Sequence, residues 1–126
     1  MTRPSYEENG DGYILTTALM RWFWDHYADP ADRGDPRAAP LRGDLEGLPP
    51  ACIVAADFDP LRDEGVAYAR ALEAAGVPVR LARARGHTHT SVTMVDVVIS
   101  GAPVRAGIGE ALRDFFPSAE LQEQVS

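Results

Sequence analysis

One unbroken apolar run, Ala51-Cys-Ile-Val-Ala-Ala56, limits what this chain can become more than any other stretch. Pro49-Pro50 precedes it, and Asp57-Phe58-Asp59-Pro60 follows it. A run with no polar alternation suits a strand covered on both faces, which is the signature of a parallel sheet. Beyond it, Pro60 offers a preset φ at a helix start, with Asp59 as the cap before it. Leu61, Tyr68, Ala69, Leu72 and Ala75 then recur at helical spacing between charged residues, which predicts one buried stripe over Leu61 to Ala75. Gly76 and Pro78 stop that helix. Val77 to Arg85 alternates and predicts a second strand, with Val77, Val79, Leu81 and Arg83 on one face.

Parallel neighbours joined by a helical crossover end on the same edge of their sheet. Asp59 follows the first strand and His89 the second, so the two are expected side by side, on the edge where open α/β sheets carry their sites.

The residues Asp59-Pro-Leu-Arg-Asp-Glu-Gly65, then Ala75-Gly-Val-Pro78, then Gly86-His-Thr-His89 resemble the C-terminal part of the hormone-sensitive-lipase family of α/β-hydrolases. Asp35-Pro-Arg-Ala-Ala-Pro-Leu41 resembles the ordered connection that precedes these motifs in the family. The resemblance implies an α/β fold in which this chain forms the C-terminal portion: two parallel strands, flanking amphipathic helices and an incomplete sheet. It implies carboxylic-ester hydrolysis, with Asp59 as the acid of a Ser-Asp-His triad and His89, rather than His87, as its base. No cofactor and no metal are implied. The family has Gly-Phe where this chain has Thr90-Ser91.

In such a triad the acid orients the imidazole and stabilises its protonated form while the base takes the serine proton. Acid before histidine also fits the Ser, Asp, His chain order of these folds. The nucleophile is missing. A strained elbow needs Gly-x-Ser-x-Gly, and none of Ser5, Ser91, Ser100, Ser118 and Ser126 has glycine at both flanking positions. No His-Gly-Gly stretch offers oxyanion-hole amides. The chain therefore reads as a C-terminal piece of an esterase or lipase-like hydrolase, inactive alone. The competing reading is a non-catalytic remnant that serves as an interaction or oligomerisation module.

Each residue also has a plainer use. Asp59 alone would be a helix cap, and His89 alone a loop histidine. His87-x-His89 lacks a third ligand for zinc at the usual spacing. Ser91 suits a cap for the next helix, and Gly107-Ile-Gly109 has neither the leading strand nor the third glycine of a phosphate loop.

The 126 residues amount to a single partial domain: 1–12 irregular, 13–50 a helix and a proline-rich connection, 51–117 strand, helix, strand and C-terminal helices, 118–126 a frayed tail. Thr16 is the expected cap of the first helix, whose stripe of Leu19, Met20, Phe23, Trp24 and Tyr27 predicts heavy burial or a contact surface, with His26 beside it. Ser91 to Ser100 predicts a short helix, with a strand as the rival because it is rich in valine, and Val104 to Phe116 a last helix with Ile108, Ala111, Leu112, Phe115 and Phe116 on one face.

A net charge of −7 argues against a nucleic-acid partner, which needs a basic face. Cys52, alone and within an apolar strand, predicts an inert buried thiol and points to a reducing compartment. No signal peptide or membrane span is legible, so a cytoplasmic protein is the expectation. The expected partners are a small ester in the complete enzyme, and a homodimer or a complementing chain through an exposed sheet edge.

Overall fold

The structure, a computed structural model, describes residues 2–117; the expected frayed tail lies outside the described residues. Its centre is strand β1 (Ala51–Phe58), helix α3 (Arg62–Ala74) and strand β2 (Val79–Thr88). Helices α1 (Ser5–Glu8) and α2 (Thr17–Tyr27) come before this unit, and α4 (Ala102–Phe115) comes after it. Among the described residues β1 and β2 form a parallel two-stranded sheet, in register from Ala51 opposite Val79 to Ala56 opposite Ala84. The expected incomplete α/β architecture is therefore what folds.

The two faces of the sheet are covered unequally. On one face α3 brings Ala69 and Leu72, each 1% exposed, against the strands, and Gly65 stands close to Ile53. On the other, Ala56 and Ala84 pack with Val92, and Val54 and Val104 border them. The stripe of α4 is narrower than the sequence predicts. Ala111 is buried, and Ile108 and Phe115 are half-buried, but Leu112 and Phe116 face outward. Alanine dominates this core, and Leu72 is the largest fully buried side chain. Burying a leucine or valine contributes about 1.5–3 kcal/mol, whereas an alanine methyl contributes far less, so the hydrophobic drive here is thin.

Several boundaries differ from the sequence reading for physical reasons. Residues 1–12, expected to be irregular, contain the single turn α1, because Ser5 and Tyr6 are buried against the start of α3. Ser5 Oγ donates to the Pro60 carbonyl at 2.7 Å, and the Ser5 amide donates to Asp63 Oδ2 at 2.9 Å. Nothing local in that polar stretch announces so distant an anchor.

Ser91 to Ser100 forms neither one helix nor a strand. Two 3₁₀ turns, Ser91–Thr93 and Ile99–Gly101, frame it, and Val95, Val97 and Ile99 face outward. Pro103 lies in the first turn of α4, where its fixed φ suits a helix start.

Thr16 does cap α2, accepting from the Leu19 amide at 3.1 Å. No residue of α2 is fully buried, however, so its aromatic stripe is surface rather than core. His26 is exposed and lies on the Trp22 ring at 4.2 Å. Cys52 is half-buried and free, not fully enclosed as expected. Among the described residues, no helix is long and apolar enough to cross a membrane.

Candidate active site

The sheet edge after β1 and β2 carries the chemistry. Asp59 is 7% exposed, and its two carboxylate oxygens have separate tasks. Oδ1 accepts from the Leu61 amide at 2.8 Å, holding the turn that leads into α3. Oδ2 accepts from Nδ1 of His89 at 2.8 Å. The cap and the histidine partner, set against each other by the sequence, are two halves of one carboxylate. The helix itself begins two residues later than Pro60 suggested, at Arg62.

Carbonyl contacts fix the acid's surroundings. Nδ2 of Asn9 donates to the carbonyls of Asp57 and Asp59, at 3.1 and 3.4 Å. Arg62 donates to the Asp57 carbonyl at 3.4 Å while pairing with Glu8 and Asp63. Among the described residues no buried side-chain polar atom lacks a partner, so this edge is internally satisfied.

The His89 ring is held through Nδ1, and its side chain is 34% exposed. A proton held on Nδ1 by a carboxylate leaves Nε2 with its lone pair, which is the tautomer a general base requires. The structure brings Asp59 and His89 together, as the crossover argument expects. His87 is kept apart from them. It is buried, and its Nδ1 lies 3.1 Å from Ser91 Oγ. That hydroxyl already donates to the Thr88 carbonyl at 3.0 Å and accepts from the Thr88 amide at 3.2 Å, so Nδ1 of His87 is the donor. Ser91 thus ties the turn together and does not cap a helix as expected.

No described serine meets His89. Ser5 is committed beneath α3 and Ser91 to His87 and Thr88. No group of three histidine, cysteine, aspartate or glutamate side chains among the described residues is arranged to hold a metal. An open cavity of ≈ 790 Å³ includes both Asp59 and His89 in its lining, with Val54, Tyr68, Trp24 and Ile108 supplying apolar wall. Sequence reasoning missed Asn9 and Asp57. The Asn-Gly-Asp-Gly stretch around Asn9 reads only as turn, and Asp57 reads only as the end of a strand.

A parallel strand pair with an acid and a histidine in contact at its C-terminal edge is the arrangement that the resemblance to α/β-hydrolases implies. A family model described as alpha/beta hydrolase fold matches residues 1–93, and the chain belongs to that family, in the hormone-sensitive-lipase group whose matched members are esterases. The chain is 47% identical over 98 residues to ethyl acetate hydrolase of Pseudomonas putida, covering 76% of this chain and 31% of that protein. It is 41% identical over 106 residues to the carboxylic ester hydrolase LipN of Mycobacterium tuberculosis, covering 82% of this chain and 27% of that protein. Among solved structures, an esterase of Pyrobaculum calidifontis superposes with a TM-score of 0.84 at 34% identity, over 90% of this chain and 38% of that one. The chain spans about a third of the length of the relatives it matches.

Proposed function

We propose that this chain supplies the acid and the base of a serine carboxylesterase, with the attacking serine and the oxyanion-hole amides coming from a segment outside this sequence. The single observation that carries the reading is the 2.8 Å contact between Asp59 Oδ2 and His89 Nδ1. Asp59 orients the ring and offsets the charge it gains. His89 Nε2 takes the serine proton as the hydroxyl oxygen attacks the ester carbonyl, then returns it to the departing alcohol. Water repeats the cycle on the acyl-enzyme. A short-chain ester is the substrate class, by analogy with the ethyl acetate hydrolase. The chain alone does not turn over, because no described hydroxyl is hydrogen-bonded to the His89 ring and no Gly-x-Ser-x-Gly is present.

A chimera tests this. Residues 2–117 replace the matching segment of the Pseudomonas putida enzyme, and hydrolysis of p-nitrophenyl acetate is followed. Turnover is expected, and His89→Ala or Asp59→Asn is expected to lower kcat by about 10⁴-fold, the scale of losing a triad member. A folded chimera whose turnover ignores both substitutions sinks the assignment.

One set of observations favours a second reading, a binding module. The outer edge of β1 has no strand partner among the described residues, and Trp22, Phe23 and Tyr27 of α2 stand exposed. Such surfaces favour association with a chain that completes the sheet. Gel filtration of the pure chain, alone and with the remaining two-thirds of a relative, separates the two: a complex that gains esterase activity supports the first reading, and one that stays inactive supports the second.

A further inference from the structure

Two histidines stand two residues apart at the end of β2, His87 within the strand and His89 just beyond it, and only His89 meets the acid. The register explains why. Ala56 lies opposite Ala84, yet the next pair is Phe58 opposite Thr88. One residue of β1, Asp57, therefore faces three of β2: Arg85, Gly86 and His87. Were the ladder unbroken, Phe58 would face Gly86, and His87 would arrive level with Asp59. With two extra residues absorbed in the bulge, His89 arrives there instead. Bulges commonly re-aim a side chain in this way, whereas a register slip moves every residue beyond it.

The bulge is fastened to β1 at its middle residue, while His87 is held by Ser91. Gly86 has φ +73°, a conformation that glycine adopts without a Cβ clash, and its amide points to Asp57 Oδ2 at 3.1 Å. The other carboxylate oxygen of Asp57 faces Arg83 Nη2 at 3.6 Å. Behind it, the Asp57 carbonyl is held by Asn9. We infer that Asp57 is a positioning residue: its carboxylate, by accepting the Gly86 amide, holds the bulge that presents His89 rather than His87 to Asp59. This role deepens the triad reading and rests on it for its catalytic meaning. The pairing itself is open to measurement without turnover.

The probe is the imidazole N–H proton of the Asp59–His89 hydrogen bond, observed by proton–nitrogen NMR on the whole chain with labelled histidine. A strongly downfield signal is expected in the parent chain, kept in His87→Gln and absent in His89→Gln. Asp57→Ala is expected to lose it while the amides of Ala69 and Leu72 keep their positions. Asp57→Thr guards against simple unfolding, since threonine favours strand backbone but is too short to reach the amide. Asp57→Asn retains an acceptor oxygen and is expected to keep the signal. An unchanged His89 signal in a folded Asp57→Ala or Asp57→Thr chain overturns the role, as does its loss in Asp57→Asn. Failure of the chimera to respond to His89→Ala would bear on the esterase reading alone, because this signal reports the pair and not catalysis.

Discussion

The edge that carries Asp59 and His89 and the face presented by α2 differ in how much of their own chemistry they satisfy. At the edge, α1, the Asp57 to Leu61 turn and the end of β2 are tied by hydrogen bonds, several joining residues more than 45 positions apart, such as Asn9 to Asp57 and Ser5 to Pro60. α2 makes no extensive contact with any other element. Its Trp22, Phe23 and Tyr27 are 53%, 45% and 69% exposed. Apolar side chains clustered on a surface in this way are unusual for a face that stays in water. The edge satisfies its buried polar groups from within the described residues, and α2 leaves its apolar groups exposed. That division fits a chain spanning about a third of its relatives.

The contrast is broken most severely at its closed side. Leu72→Ala empties the largest fully buried apolar position and is expected to cost about 2–5 kcal/mol, read as a fall in the urea midpoint. A loss below about 1 kcal/mol there would mean that α3 is no better packed than α2.

Ser5→Ala is the next test. It leaves the Pro60 carbonyl and the Asp63 amide without a partner, which costs about 1–3 kcal/mol for buried groups and loosens α1. The neighbouring contact, in which the Ser5 amide donates to the Asp63 carboxylate, depends on acid. Burial pushes the Asp63 carboxyl up, but the Arg62 guanidinium and the Ser5 amide outweigh it and hold the group below the usual aspartate range. Its folded value lies beneath its unfolded one. Its contribution is thus complete above the ordinary aspartate value of about 3.9 and fades as pH falls through the lower folded value. Hydrogen exchange at the Ser5 amide should accelerate, relative to that of Leu72, as that range is crossed.

Thr90→Gly sharpens the comparison from within the edge. Thr90 adopts φ +59°, which strains a β-branched residue, immediately after His89. Glycine removes that strain, so the melting temperature should rise by an amount corresponding to about 1 kcal/mol. The smallest effect belongs to α2. Trp22→Gln should change the stability of the chain by less than about 0.5 kcal/mol while improving its solubility. A large loss would show that α2 is already covered.

Sequence pattern reached furthest where its signals are local. The apolar run of β1, the stripe of α3, the Gly76 stop and the Thr16 cap each depend on a few neighbouring residues, and each forms close to where it was expected. It failed where the partner is far along the chain. α1 forms because Ser5 finds Pro60 and Asp63, and no feature of residues 2–12 encodes that meeting. One local reading failed as well: Ser91 looked like a cap for the following helix, yet it turns back to Thr88 and His87 three and four residues earlier.

The sequence by itself determined a parallel strand pair around a helix, and an acid and a histidine at the two strand ends, because hydrophobic period and turn residues act over a few positions. Only the tertiary structure decided the two extra residues of the β2 bulge and the burial of His87. It also decided the double use of the Asp59 carboxylate and the exposure of α2. Those features depend on which distant groups come within hydrogen-bonding reach and on which apolar faces find cover, and a pattern read along one chain contains neither distance.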